Sequence, residues 1–371
     1  MRQVINEMSS PRALVFYGGF RRRGGGAYRH AEAIEKELTR AGWKVSVITL
    51  DTLPAIVRFL PHVVEKAINL VAMPLGFHYK GRITRLLYKY FIRESADFYL
   101  FEDIYLSWNV MAPAVTMLHA VWSDNLQSFE VSERQTQRLI SREVAIIAQI
   151  DHPVATVSEP YRDYLEKEYF THAPLKRQMA VVELGLDLHE FPTNLNPASG
   201  RALIYCGALE ARKNLLFLLE VFELVIAKDP SATLTIIGDG PEAGNLESYA
   251  LLRDLKVTFK GRLSHEQVIE ELVKHSIYLH TSVKESFSFS LLEAKLCGLT
   301  TCASAKLEVP EVFIDEGFEC FDACEWATRI LGINNSPDLR EFPDFSAARM
   351  ASRTLQLAGL NETPELALGN Q

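Results

Sequence analysis

The sequence predicts an α/β protein built as two doubly wound domains. Its 371 residues are 48% hydrophobic, enough for two cores at about 100 to 200 residues per domain. Short apolar runs alternate with segments of helical period, the pattern of a parallel sheet covered on both faces. That alternation starts afresh at Ala202, so the second half repeats the architecture of the first.

The elements follow in order. "ALVFYGG" reads as a buried strand, and "GGGAYRHAEAIEKELTRAG" as a helix with Ile34, Leu38 and Ala41 on one face and Gly42 as its stop. "KVSVITL" is the next strand, followed by "DFYLF", "AVTMLHA" and "PVATVS". After the restart come strand "ALIYCGAL", helix "NLLFLLEVFELVIAKDP", strand and turn "ATLTIIGDGP", helix "NLESYALLRDL", strand "KVTFKG", helix "HEQVIEELVKH" and strand "SIYLHTS". The polar stretch Thr193–Gly200, "TNLNPASG", reads as the linker. The expected domains are residues 1–196 and 197–344. In such sheets ligands sit beyond the carboxyl ends of the strands, and two sheets facing each other place the expected site in the cleft between them.

Charge is unevenly spread. The net charge is −8, yet the first hundred residues carry sixteen Lys/Arg against eight Asp/Glu. Within them, residues 75–93, "LGFHYKGRITRLLYKYFIR", hold Lys80, Arg82, Arg85, Lys89 and Arg93 with no acid, interleaved with apolar residues. Such a segment can lie on an anionic membrane surface or form a solvated helix face over the core. The N-terminal residues lack the pattern of a signal peptide. "AINLVAMPLGFHY" is too short to span a bilayer, which takes about 20 residues. The five cysteines have no zinc-ligand spacing and read as reduced thiols. The expected location is cytoplasmic, with no nucleic-acid partner.

Two carboxylates stand out in "KESFSFSLLEAKLCG". Glu285 and Glu293 are separated by seven residues at what reads as a helix entrance near Ser290. They lie too far apart to act as a pair on one glycosidic bond. They suit an elongated ligand held at both ends, its anionic middle on the helix N-terminus. The competing reading is a capping box from Ser290 to Glu293, with Glu285 a solvated charge. Near the start, Gly24, Gly25 and Gly26 precede the first helix, where backbone amides and the helix dipole suit a phosphate. Asp51 follows the second strand, as a ribose-binding acid would in an NAD enzyme, but "GGFRRRGGG" is not the G-x-G-x-x-G fingerprint.

These motifs in this order resemble the retaining, GT-B-fold glycosyltransferases of family 4 (glycosyltransferase group 1). The family's "EGFGLPLLEAMACG" stands here as "ESFSFSLLEAKLCG", with "YCGALEARKN", "IIGDGPE" and "FKGRLSHEQV" also matching. "GGGAYRHAEAIEKELTRAGWKVSVIT", "VTMLHAVWSD", "VATVSEPYRDYL" and "VVELGLDLHEF" match more loosely in the first half. The resemblance implies GT-B architecture, two Rossmann-like domains across a cleft, with residues 345–371 as a helix crossing back to the first domain and a tail.

The same resemblance implies site roles. Glu293 binds the donor's ribose and Glu285 faces its sugar, while Lys213 neutralises the diphosphate. The backbone at Phe287, Ser288 and Phe289 binds phosphate oxygens, Gly25 and Gly26 pack on the β-phosphate, and His119 lines the sugar site. Arg212, Gly238 and Arg262 join the donor-binding set, and His119, Glu285 and Lys213 the catalytic one. Departures are Ala208 where the family has an arginine, Ser286 and Ser288 for two glycines, Tyr28 for an acid and Leu184 for an asparagine. Arg212 is the candidate to replace the missing cation. No Asp-x-Asp occurs in the sequence, so no carboxylate pair of that kind holds a cation on a diphosphate.

The expected activity is transfer of a hexosyl group, with retention and without metal or cofactor, from a nucleoside-diphosphate sugar, UDP-linked ahead of GDP-linked. The expected acceptor is a glycan or lipid-linked intermediate of envelope or exopolysaccharide biosynthesis, held by the basic N-terminal domain. Two other classes stay open: a sugar-nucleotide epimerase or hydrolase on the same fold, and a catalytically silent binding subunit.

Overall fold

The computed structural model describes residues 10–360 apart from 24, 73–74, 129–130, 172–174, 176–177, 194–199 and 334–341. The linker expected at Thr193–Gly200 and Gly24 of the glycine turn therefore fall largely or wholly outside the described residues. The chain packs as two units, residues 1–187 with 344–371, and residues 188–343.

The first unit is a six-stranded parallel sheet in the order β2-β1-β3-β4-β5-β6. Its strands are β1 (Arg12–Phe16), β2 (Lys44–Ile48), β3 (Phe98–Phe101), β4 (Ala114–Leu118), β5 (Val154–Thr156) and β6 (Ala180–Val181). Ala13, Leu14, Val15 and Phe16 of β1 are all buried, as a central strand covered on both faces requires. Helix α1 (Gly26–Arg40) presents His30, Ile34 and Leu38 to the core. It ends at Gly42 with φ +83°. Trp43 N–H donates to Leu38 O and Gly42 N–H to Thr39 O, the paired bonds of a Schellman stop.

Between β2 and β3 run α2 (Leu60–Ala72) and α3 (Leu75–Phe91), packed on each other. Sequence reasoning did not place α2 as a helix. On α3, Gly76, His78, Thr84 and Tyr88 turn inward, and Tyr88 Oη donates to Tyr17 O at 2.6 Å. Arg82, Leu86, Lys89, Tyr90 and Phe91 are exposed, joined on α2 by Leu60, Val63, Leu70 and Val71. No helix among the described residues is long and apolar enough to cross a membrane. The unit is completed by α4 (Glu133–Ile147), α5 (Glu159–Glu168) and the C-terminal helix Ala347–Leu357, which packs on α1. Gly185 admits that helix's entry: a Cβ there would sit 2.2 Å from Ser346 O.

The second unit repeats the plan, in the order β12-β11-β10-β7-β8-β9, again all parallel. The chain runs β7 (Ala202–Cys206), α6 (Leu215–Lys228), β8 (Thr233–Ile237), α7 (Ala243–Leu252), β9 (Val257–Phe259), α8 (His265–Leu272), β10 (Ile277–His280), α9 (Phe289–Leu296), β11 (Thr300–Ser304), β12 (Glu316–Phe318) and α10 (Ala323–Gly332). The C-terminal helix is thus α11. Trp326 of α10 is fully buried and stacks on Phe318 at 4.0 Å between centroids. All five cysteines are free.

Each sheet reverses its winding direction once. In the first the reversal lies between β1 and β3, in the second between β7 and β10. Loops leaving those strand pairs diverge to opposite sides, which opens a crevice beyond the carboxyl ends. The segments at these points are 17–26 and 102–109 in the first unit, and 207–214 and 281–288 in the second.

Candidate functional site

In the first unit three side chains converge beyond the carboxyl ends of β3 and β4. Glu102 directly follows β3, His119 directly follows β4, and His30 lies in the first turns of α1. Glu102 is buried and takes His30 Nδ1 at 2.9 and 2.8 Å on its two oxygens, and His119 Nε2 at 2.7 Å. Burial alone would raise the Glu102 carboxyl, but the two histidines outweigh it and hold it down to about 2. An ionised carboxylate only accepts, so both histidines donate their protons to it. That fixes the tautomers: neutral His119 carries its lone pair on Nδ1, and neutral His30 on Nε2, a buried atom with no hydrogen-bond partner. Burial lowers the His119 pKa, against the pull of Glu102.

Sequence reasoning found His119 and missed Glu102 and His30. The available signal was position: Glu102 is the first residue past the predicted strand "DFYLF", and His30 shares the face of Ile34 and Leu38. These three side chains offer ligand atoms within 4.8 Å of one another, residue types that suit a transition metal. Their separations of 2.7 to 2.9 Å are hydrogen bonds, and the protons making them would have to leave before an ion entered.

A polar network fixes the loop after β4. Asp124 accepts from the hydroxyls of Tyr161 at 2.7, Tyr164 at 2.8 and Tyr169 at 3.0 Å. Glu143 of α4 accepts from Trp122 N at 2.7 and Ser123 Oγ at 2.5 Å, and burial pushes its carboxyl up to about 8. Gly25 caps α1 in extended conformation with φ −96°, and both it and Gly26 are exposed. Asp51 is engaged elsewhere, accepting Arg21 N–H at 2.9 Å, which ties down the turn after β1. Tyr28 and Leu184 are buried packing residues.

In the second unit the switch point gathers Glu285, Lys213, Arg212 and His280. Lys213 Nζ pairs with Glu285, whose Oε1 also lies 3.5 Å from Arg212 Nη1 and 3.4 Å from His280 Nε2. Lys213 and Arg212 come from the turn after β7, and Glu285 from the loop after β10. Thr281 Oγ1 donates to Lys213 O at 2.8 Å and Val283 N–H to Arg212 O at 3.1 Å, so one loop is buttoned to the other. Burial opposes ionisation of Glu285, but Lys213, then His280 and Arg212, hold its carboxyl well below the usual range. Burial first, then Lys213 and Arg212, holds His280 below its ordinary value, with Glu285 opposing. Ala208 carries no cation, and Arg212 reaches the cluster from four residues on.

Glu293 points inward from α9, with His265 Nδ1 at 3.5 Å, and His265 Nε2 lies 3.1 Å from Glu190. The capping box from Ser290 to Glu293 does not form. The cap of α9 is Ser288, whose Oγ accepts Leu291 N–H at 3.4 Å. This places Glu293 in the second turn, too far along to reach the cap backbone. Phe287 packs on Phe313 and Phe289 as the wall behind the loop. Gly238, at φ +143°, brings the turn after β8 against the turn after β7, where a Cβ would meet Gly207 O at 1.8 Å. Arg262 is exposed and sits 3.8 Å from Asp239, apart from the Glu285 group.

Ser288 has φ +72°, a left-handed conformation that costs a non-glycine residue about 1–2 kcal/mol. Its cap bond offsets part of this, since Ser to Gly at a cap loses only a few tenths of a kcal/mol. Ser288→Gly is therefore expected to stabilise the protein by about 1 kcal/mol, read as a higher urea midpoint. A lower midpoint would show that the hydroxyl contributes more than a cap.

Comparison with known proteins bears on these two arrangements. Residues 189–342 match the family model "Glycosyl transferases group 1". Over 141 residues, 37% of this chain and 31% of the relative, the sequence is 31% identical to the phosphatidylinositol N-acetylglucosaminyltransferase gpi3 subunit of Schizosaccharomyces pombe. The matches span between a quarter and a third of the length of the first such relatives. Among solved structures, sucrose-phosphate synthase from Thermosynechococcus elongatus superposes with a TM-score of 0.64 at 18% identity, covering 98% of each chain. Anabaena HepE in complex with UDP and glucose gives 0.59 at 16% identity, covering 97% of this chain and 100% of its own. The Glu285 cluster lies inside the matched stretch, and the architecture is shared over nearly the whole chain. Residues 189–342 thus resemble the glycosyl transferases of group 1, and nearly the whole chain shares the α/β fold of the solved structures it superposes on.

Proposed function

We propose that the protein transfers a hexosyl group, with retention, from a nucleoside-diphosphate sugar to a lipid-linked or glycan acceptor, and that it needs no metal ion. The observation that carries this reading is Glu285, a largely buried carboxylate kept ionised by Lys213, Arg212 and His280 at the switch point of the group 1 domain. A diphosphate brings two or more negative charges, and cations already gathered and desolvated stabilise the charge that grows as it leaves. Glu285 holds those cations in place until the donor arrives, and then faces the sugar. Glu293 takes the ribose, and the amides of Phe287, Ser288 and Phe289 at the start of α9 take phosphate oxygens.

In the first unit, Gly25 and Gly26 leave the start of α1 open to a phosphate. His119 faces the sugar, with Glu102 and His30 setting its tautomer. UDP is the proposed carrier, in line with the UDP and glucose of the Anabaena structure. A phosphorylated lipid acceptor is in line with the phosphatidylinositol in the name of the yeast relative. The exposed apolar and basic side chains of α2 and α3 support work at the cytoplasmic face of a membrane.

A thermal-shift panel of UDP, GDP, ADP and NAD, with and without EDTA, tests the reading. A ligand at about 100 times its Kd stabilises by roughly 2.7 kcal/mol. A UDP shift that survives EDTA is the expected result. No diphosphate shift, or a shift with NAD alone, overturns it, and a shift abolished by EDTA overturns the metal-free part.

A further inference from the structure

Between α3 and α4 the first unit contains a cavity of about 590 Å³, within the usual range of about 300 to 1,000 Å³ for small-molecule sites. No residue assigned above to the donor or to the His119 group lines it. Its wall carries four cations, Arg82, Arg85 and Lys89 from α3 and Arg142 from α4, and not one carboxylate. Among the described residues none of the four makes an ion pair. Aromatic faces hold two of them instead: Lys89 Nζ lies 5.9 Å from the Trp108 ring and Arg142 Cζ 5.9 Å from the Tyr79 ring. Arg85 Nη1 donates to Ser107 O at 3.2 Å, which fixes its guanidinium against the loop after β3.

Converging like charges without a counter-ion cost stability. The cost shows on His78, which lines the same wall, is 6% exposed and has a buried Nδ1 without a hydrogen-bond partner. Burial, then Arg142, Arg82 and Arg85, drives its pKa down to about 4. A bound anion removes this repulsion, and guanidiniums offer the planar forks that match phosphate oxygens. Trp108, Leu86 and Ile146 supply an apolar side to the same cavity.

We propose that this cavity is a second anion site, binding the phosphoryl group of a phosphorylated organic ligand through Arg82, Arg142 and Lys89. It is separate from the donor site and does not rest on the transferase reading. A phospholipid headgroup and a soluble phosphate ester share this chemistry, and the test distinguishes them.

Pyrophosphate binding is measured by calorimetry on the full chain carrying Lys213→Met, which weakens the proposed donor site and isolates the cavity. Adding Arg82→Gln and Arg142→Gln is expected to weaken binding at least about tenfold per arginine, as the loss of charged hydrogen bonds predicts. Arg82→Lys with Arg142→Lys keeps the charge but loses the forks, and is expected to weaken binding about fivefold or more. Flotation with phosphatidylcholine vesicles, with and without phosphatidylglycerol, is run in parallel. Loss of anionic-vesicle binding in the Gln variants, with pyrophosphate competing, assigns the site to a lipid headgroup. Pyrophosphate loss without vesicle preference assigns it to a soluble ester. Unchanged pyrophosphate affinity in the Gln variants, or full affinity in the Lys variants, overturns the proposal. Thermal midpoints of each variant, with Arg82→Gln and Lys89→Gln as a second pair at exposed positions, separate lost binding from lost folding.

Discussion

Replacing Glu102 by glutamine is expected to lower sugar transfer by roughly 10²-fold or more while leaving the UDP thermal shift unchanged. The reason is the hydrogen-bond inventory. The carboxylate accepts from both His30 Nδ1 and His119 Nε2, whereas an amide has one acceptor oxygen and one donor group. One histidine must then rotate or change tautomer, and His119 loses the orientation proposed for it. A residue that only supported the fold would change stability alone, so the pH profile is the informative readout. Glu102 raises the His119 pKa against burial, so its neutralisation should move the acidic limb of turnover to lower pH. Turnover and pH profile both unchanged would remove Glu102 and His119 from the chemistry.

Stability should respond too, and the sign is set by direction. Glu102 is held at about 2 in the folded chain, below the ordinary 4.5. A depressed carboxyl contributes stability that is present above about 4.5 and is lost as pH falls toward 2. Glu102→Gln lacks that contribution, so urea midpoints of variant and parent should converge across this window.

Lys213→Met is expected to destabilise the second unit by about 3 kcal/mol, the lower end for breaking a buried pair, because Arg212 and His280 still face Glu285. It should also abolish the UDP shift. Without its nearest cation the Glu285 carboxyl rises toward its ordinary value, since Lys213 is the largest influence lowering it. Its stabilising contribution then disappears at a higher pH, and acid unfolding should begin earlier than in the parent. Adding Glu285→Gln should restore part of the lost stability, because an unpaired buried charge is the cause. A double variant no more stable than Lys213→Met would mean that Lys213 acts by packing. A full UDP shift in Lys213→Met would place the diphosphate elsewhere.

Both experiments probe groups that the sequence disclosed unequally. Lys213 and Glu285 stood out as candidates because each lies in a short motif a few residues past a strand end, "YCGALEARKN" and "KESFSFSLLEAKLCG", and the second motif also holds Glu293. His119 was legible for the same reason. Glu102 and His30 were not, because a histidine on a helix face and a glutamate after a strand have many bland uses. They gain meaning only from being hydrogen-bonded across 72 residues of chain. The cationic cavity shows the same limit: α3 reads as a basic amphipathic segment, and its cations become a pocket only when α4 brings Arg142 beside them.

The sequence by itself determined the α/β class, most of the order of strands and helices, the glycine stop at Gly42 and the cationic segment, all encoded in local periodicity and turn chemistry. The tertiary structure decided the rest. It chose strand order, and so set the two switch points at β1/β3 and β7/β10. It moved the cap of α9 from Ser290 to Ser288 and turned Glu293 inward. It paired Glu285 with Lys213, 72 positions away. Local propensity acts over a few residues, whereas burial of a charge and the partner that makes it tolerable depend on which strands lie side by side.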